Sequence, residues 1–414
     1  MPIELLAIVV CLLPVAAASG WWMAKRDKPK PTLQTRSSLK KEYFQGLNFL
    51  VNDQTDQALE VFMRMMELDD DTVETHLALG SLFRRRGEVD RALRIHQNLI
   101  ARPQLSRVLR QQATLELAKD YATAGLFDRA ENLLSELLTQ NAHVDQALTR
   151  LGQIYEQQKD WAQAIGIARR QASFSGETQA SLIAHYYCEQ ADVANEKNDL
   201  RASRTLWRKA LSTDSGSIRA ALALAEKAVE GRDARSALRY LHKALQSNIE
   251  YTPVALPLLA ECYLQLQNPD GLRNELESLS SRYGGVSPLL PLLHLAQHSD
   301  DQQTVNDILS DFIEAQPRLA STARLIVELG AADTTNAPLF EALKTGLENK
   351  TNFQCKQCGY NAKLLHWNCP SCRSWDTVLP QAHMAIDLPY PNRDQSVDAV
   401  AESQGKQTDA KSLH

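Results

Sequence analysis

Aromatic residues make up only 6% of the 414 residues, and glycine (17) and proline (16) are both scarce. That shortage argues against an all-β sandwich, which needs frequent turn residues and β-branched or aromatic strands. A large excess of one charge is also lacking. Lys and Arg number 45 against 50 Asp and Glu, for a net charge of −5, so the chain as a whole does not advertise nucleic-acid binding. No P-loop, G-x-S-x-G, H-E-x-x-H or dinucleotide fingerprint occurs. The seven cysteines are an odd number, and four lie in one window near the C-terminus. This points to metal chemistry in a reducing compartment, not to a disulfide framework. What is present is abundant Leu and Ala, 44% hydrophobic and 23% charged residues, which is globular composition that favours helix.

From Ile3 to Met23 the chain is apolar, with one charge, Glu4, at its edge. About twenty such residues cross a bilayer as a helix, and Pro14 is tolerated there. Trp21 and Trp22 stand where an interfacial aromatic belt would fall. Lys25, Arg26, Lys28 and Lys30 follow, with only Asp27 against them. Ala16–Ala18 resembles a cleavage site, but a signal peptide carries its basic stretch before the apolar core, and Met1-Pro2-Ile3-Glu4 has none. Residues 1–23 are therefore predicted to be a transmembrane anchor and 24–38 a basic juxtamembrane linker. The positive-inside rule puts the N-terminus in the periplasm and the body in the cytoplasm, a single-pass inner-membrane protein.

Beyond the linker a period of thirty-four appears. Gly46, Phe49 and Ala58 recur as Gly80, Phe83 and Ala92, with His96 at the position of Phe62. The phase resumes at Ala118, Tyr121 and Ala130, then Gly152, Tyr155 and Ala164. It continues more weakly through Ala191 and Ser203, Ala225 and Ala237, and Ala260 and Tyr263. The small residue lets two helices approach, the aromatic fills the gap beside it, and the alanine packs the second helix on the first. Turns are expected at Arg86-Gly87-Glu88, Ala124-Gly125-Leu126 and Gln158-Lys159-Asp160. This pattern resembles the tetratricopeptide repeat family and implies an all-α superhelix over 39–284. Residues 285–348 read as degenerate helical repeats, for around nine units in all.

Several residues in the repeats invite sharper readings. Asp69-Asp70-Asp71 lacks the glycine and glutamate of a calcium loop and reads as a solvated turn. Cys188 and Cys262 lie among apolar helix neighbours and read as buried small hydrophobes. His185-Tyr186-Tyr187 and His294/His298 read as packing or surface residues. A solenoid without a catalytic motif is a binding surface, so no enzyme activity is expected.

The four-cysteine window is Cys355-x-x-Cys358-Gly359-Tyr360, then, after ten residues, Cys369-Pro370-x-Cys372. Two C-x-x-C pairs at this spacing form metal knuckles, and Gly359 permits the left-handed turn that a knuckle needs. Residues 350–380 are predicted to bind one metal ion, iron or zinc, through Cys355, Cys358, Cys369 and Cys372. Trp367 and Trp375 are expected to supply nearly all the core of this module, which should not fold without its metal. His366 is a conceivable substitute ligand, although four cysteines already fill a tetrahedral site. The knuckles resemble rubredoxin and also fit a zinc ribbon. Arg373 stands where a rubredoxin's second knuckle usually has glycine, which weakens an electron-transfer reading more than metal binding. Past Pro380 the chain turns polar, and 381–414 is expected to be a disordered tail.

Anchor, repeats and metal module in this order resemble the lipopolysaccharide assembly protein B family of Gram-negative bacteria. The stretches that carry the resemblance are LLPVAAASGWWM, GLNFLVNDQTDQALEVF, HLALGSLFRRRGEVDRALRIHQNL, FQCKQCGY and HWNCPSCRSW. The resemblance implies an adaptor that brings the lipid A pathway deacetylase to a membrane-bound AAA+ zinc protease. It also implies that the metal module folds back on the repeats, and that other lipopolysaccharide synthesis or transport proteins are further partners. The alternatives are a scaffold for synthesis enzymes and a redox carrier or sensor built on an iron tetrathiolate.

Overall fold

A computed structural model describes residues 73–298, 302–314, 319–330, 337–348 and 351–386, with Leu388 and scattered positions between 44 and 61. The expected anchor at 1–23, the linker at 24–38, the Asp69–Asp71 turn and the tail from 389 lie outside the described residues. Among the described residues no helix is long and apolar enough to cross a membrane. The chain divides into two compact units at Lys159 and Asp160.

The first unit runs α1 (Val73–Arg85), α2 (Val89–Ile100), α3 (Arg107–Thr123), α4 (Phe127–Thr139) and α5 (Val144–Gln158). The expected turns fall between α1 and α2 and between α3 and α4. Both are closed by a left-handed glycine, Gly87 at φ +80° and Gly125 at φ +75°, and by the same pair of backbone bonds. Gly87 N–H donates to Arg84 and Glu88 N–H to Phe83; Gly125 N–H donates to Ala122 and Leu126 N–H to Tyr121. Ala92, Ala118 and Ala130 are fully buried where the helices meet.

Gly80 is placed by a different contact. A Cβ on it would overlap the His96 ring, and His96 is itself fully buried. The imidazole replaces an apolar side chain of the repeat and meets a charge. Its Nδ1 lies 2.5 Å from Asp120 Oδ2, while Arg84 donates to Asp120 Oδ1 and Glu116 Oε2, each at 2.6 Å. Lys119 adds a 2.7 Å bond to Glu116 Oε1. Burial alone would raise the Glu116 pKa, but Lys119 and Arg84 outweigh it and hold the carboxyl at about 2.

The second unit opens with α6 (Trp161–Ser175), followed by α7 (Ala180–Glu196), α8 (Leu200–Thr213), α9 (Ile218–Glu230) and α10 (Ala234–Ser247). A 3-10 turn (Ile249–Tyr251) leads to α11 (Thr252–Gln265) and α12 (Pro269–Arg282). Asp160, Asp199, Asp233 and Asn268 cap α6, α8, α10 and α12, each accepting a backbone N–H through its side chain. Asn198, Arg232 and Gln267, just before three of these caps, adopt left-handed φ of 54° to 58°. Ala191, Ser203, Ala225 and Ala237 are fully buried at the expected close approaches. Arg219 on α9 crosses to α7, donating to Glu189 at 2.8 Å and Asp192 at 2.6 Å. Cys188 and Cys262 are both buried, Cys262 within the apolar core and Cys188 near the Arg219–Glu189–Asp192 ion pairs, and burial pushes their thiols up to about 12 and about 11.

The stretch read as degenerate repeats forms α13 (Leu289–His298), α14 (Gln302–Glu314), α15 (Leu319–Gly330) and α16 (Ala337–Glu348). Val286, Leu289, Leu293, Phe312 and Leu325 share a core there. A three-stranded antiparallel sheet follows, of β1 (Phe353–Cys355), β2 (Asn361–Ala362) and β3 (Val378–Pro380) in the order β2-β1-β3.

The expectation that the tail begins at residue 381 is corrected. Residues 381–386 and Leu388 are part of the packed structure. Val286 N–H donates to Ala382 O, Ser287 Oγ to Met384 O at 2.5 Å, and Ser321 Oγ to Ala382 O. Ile386 and Leu388 pack on the α9–α13 core. Its residues Ala382, Met384, Ala385, Ile386 and Leu388 are apolar, and the polar composition begins only beyond them, so the carbonyls and apolar side chains of this segment find partners on the helical body.

Two predictions follow from the first unit. An exposed helical glycine normally gains stability on change to alanine. Gly80→Ala should instead lose about 1–3 kcal/mol, read from denaturant midpoints, because His96 has nowhere to move. Glu116, with its folded pKa held below the ordinary glutamate value, contributes stability that is present above that ordinary value and lost as pH falls toward 2. Glu116→Gln should therefore be less stable at neutral pH yet lose less stability on acidification, measured by urea unfolding across that range.

Candidate metal centre

Each cysteine pair sits on a knuckle at one end of the small sheet. Cys355 ends β1, and Gly359 N–H returns to Cys355 O at 2.9 Å with Gly359 at φ +75°. The second knuckle repeats this geometry, with Arg373 N–H on Cys369 O at 2.8 Å and Arg373 at φ +58°. Arginine thus takes the left-handed conformation expected of glycine there, at a strain of roughly 1–2 kcal/mol, and the departure noted in the sequence leaves the turn intact.

The structure brings together the four predicted ligands, with all their sulfur atoms within 4.8 Å of one another. Cys355 Sγ lies 3.7 Å from Cys372 Sγ, and Cys358 Sγ 3.7 Å from Cys369 Sγ. The edge of a tetrahedron of thiolates around an ion at ~2.3 Å is about 3.8 Å, so the spacing fits one tetrahedral metal ion. His366 does not join the cluster. The Cys355 thiol, raised by its burial, is brought down to about 6 by the Thr377 hydroxyl and the backbone N–H groups of Cys358 and Gln357. The hydroxyls and amides that favour this thiolate also favour its metal complex. Burial pushes Cys369 up to about 11, so a metal ion held there would supply the positive charge that favours its thiolate.

The expected role of the two tryptophans is corrected. The module's core consists of Phe353, Cys355, Ala362, Cys369 and Val378, with Leu365, Cys372, Met384 and Val254 of α11 packed against it. Trp367 and Trp375 instead face the repeats. Trp367 stacks on Tyr251 with centroids 5.5 Å apart, and Trp375 stacks on His185 of α7 at 4.8 Å. Asp376, at φ +55°, completes the contact with Oδ2 2.6 Å from His185 Nε2. His185 and Tyr186 are therefore packing residues, as expected, and what they pack is the metal module. The sequence holds the alternation of the docking residues with the knuckle, but nothing in the spacing points to a partner nearly two hundred residues away.

The fold and the site define a class, a tetratricopeptide repeat protein whose body carries a rubredoxin-type metal module docked on its helices. Two models described as tetratricopeptide repeat match residues 75–108 and 115–176, and one described as rubredoxin metal binding domain matches residues 353–380. Lipopolysaccharide assembly protein B of Escherichia coli (strain K12) is 32% identical over 382 residues, covering 91% of this chain and 98% of that protein. The Haemophilus influenzae protein of the same name is 31% identical over 390 residues, with the same coverage. The chain belongs to the lipopolysaccharide assembly protein B family. Among solved structures, a tetratricopeptide repeat protein from Parabacteroides merdae covers 67% of this chain and 99% of that chain at 14% identity, with a TM-score of 0.34.

Metal removal tests the docking directly. Chelation, or Cys355→Ser, should unfold the module and raise hydrogen exchange in α7 and the Ile249–Tyr251 turn, because their aromatic cover is lost. Asp376→Asn should leave metal content unchanged and loosen the same segments.

Proposed function

We propose that this protein is a non-enzymatic, inner-membrane adaptor that regulates lipopolysaccharide synthesis by presenting the lipid A deacetylase to a membrane-bound AAA+ protease. The observation that carries this reading is a tetratricopeptide repeat body in a chain belonging to a family whose curated members are named for lipopolysaccharide assembly. In this reading the apolar segment Ile3–Met23 anchors the chain, its N-terminus in the periplasm and its body in the cytoplasm, close to the protease. The repeats hold the protein to be degraded. When bound, the ion supplies a tetrahedral cross-link for a module too small to fold alone. Cys355, Cys358, Cys369 and Cys372 hold it, Thr377 supports Cys355, and the second knuckle offers Trp367, Trp375 and Asp376 to the repeats. The role needs no redox change at the ion, which serves equally as zinc or iron.

The test is the half-life of the deacetylase in cells after translation is blocked, with this protein present and depleted. A clear lengthening on depletion is expected. An unchanged half-life would remove the degradation mechanism and favour a scaffold that gathers synthesis enzymes.

A further inference from the structure

Charge is distributed very unevenly among the helices of the second unit. Three successive second helices of repeats, α6, α8 and α10, carry two, four and three Lys or Arg residues and not one Asp or Glu. Their neighbours differ: α7 and α14 hold only acidic charges, and α9 and α12 are mixed. In a chain of net charge −5 these three helices are a local cationic surface.

The cations also share a phase. Counted from the capping aspartates, the tenth residue is Arg170 in α6, Lys209 in α8 and Lys243 in α10; the second is Arg201 in α8 and Arg235 in α10. Since each helix is set at its N-terminus by the same kind of cap, equal offsets place these groups at equivalent points of successive repeats. All but Lys243, which is half-buried, are exposed.

Among the described residues no carboxylate lies within ion-pair distance of a cation on α6, α8 or α10, although Asp233 is near enough to Arg239 to feel its charge. Glu189 and Asp192 on α7 are taken by Arg219. The capping aspartates are engaged with helix N-termini. Two of the cations are held in place by one buried ring: Arg169 donates to Tyr187 Oη at 2.8 Å, and Lys209 Nζ lies 4.7 Å from the centroid of that ring.

We infer that this row of cations is a docking surface for an acidic segment of a partner protein, with carboxylates read across successive repeats. Seven of the nine cations are arginine, whose forked donors match carboxylates in a fixed geometry. The row rides on rigid helices at repeat spacing, which suits a protein ligand. Between Arg201 and Lys209, Thr205 alone is exposed besides the arginines. Leu200 on α8 and Phe174 on α6 are exposed apolar groups beside the row, so the vesicle arm of the test is what separates a lipid surface from a protein ligand.

The inference deepens the proposed function and rests on its reading of the repeats as a protein-binding surface. The test uses the full chain in neutral phosphatidylcholine nanodiscs, with fluorescein-labelled poly-L-glutamate as probe. Arg201 and Arg208, both exposed, are reversed together in Arg201→Glu/Arg208→Glu, and neutralised in Arg201→Gln/Arg208→Gln. Arg85→Glu/Arg94→Glu makes the same charge change on exposed positions of the first unit, and thermal unfolding checks each fold. The α8 reversal should weaken the probe at least about tenfold, the neutral variant less, and the first-unit reversal under about twofold. Equal weakening by both reversals would overturn the inference, because bulk charge alone would explain it. Binding of phosphatidylglycerol vesicles that depends on Arg201 and Arg208, with no such dependence for the peptide, would overturn it in favour of a lipid surface. Neither deacetylase nor protease is present, so failure here leaves the half-life result untouched, and an unchanged half-life leaves this result standing.

Discussion

Each hairpin depends on one close approach, in which a side chain no larger than Ala or Ser sits between two helix backbones. Ala118, Ala130, Ala191, Ser203, Ala225 and Ala237 have no accessible surface at all. A repeat array has no common centre, so these contacts and those to the next repeat are the whole of its stability. Larger side chains work only where a partner gives way, as Gly80 gives way to His96. There the array admits a buried charge network, His96–Asp120–Arg84–Glu116, in place of apolar packing. Such a network tolerates loss of one member poorly, because the remaining charges stay buried.

The metal module obeys a different rule. Its strands are two or three residues long, and its core includes two of its own ligands, Cys355 and Cys369. With so little to bury, the module needs two outside supports, the ion and the repeats. The second knuckle serves both. Cys369 and Cys372 join the four-sulfur cluster that would hold the ion, while Trp367, Trp375 and Asp376 on the same loop face Tyr251 and His185.

The helical hairpins, their turns and the four ligands were legible because each is written in short-range spacing. A period of thirty-four marks the small residues, Gly87 and Gly125 mark two turns, and two C-x-x-C pairs mark the site. What was not legible depends on contacts distant in sequence. Trp375 reads as core in any thirty-residue module, and only the fold places His185 beneath it. The apolar residues Ala382, Met384, Ala385 and Ile386 are too few to show any periodicity and run into a polar stretch, and their role comes from Val286, Ser287 and Ser321, which bond to the Ala382 and Met384 carbonyls. The cationic row escaped because net charge averages over helices whose signs alternate.

Terminal repeats of a solenoid ordinarily fray first, since one face of each has no neighbour. In this chain the segment after the metal module returns to the turn before α13 and to α15, and accepts bonds from Val286 N–H and from the Ser287 and Ser321 hydroxyls. Freeing α15 or the turn before α13 requires these bonds to break, and residues 382–384 are covalently continuous with the module. The metal knuckles therefore act as a stop on the array. A chain pulled or threaded from its C-terminus first strips residues 382–384 from the helices and then meets the module, where an ion held by Cys355, Cys358, Cys369 and Cys372 would set the resistance to mechanical unfolding.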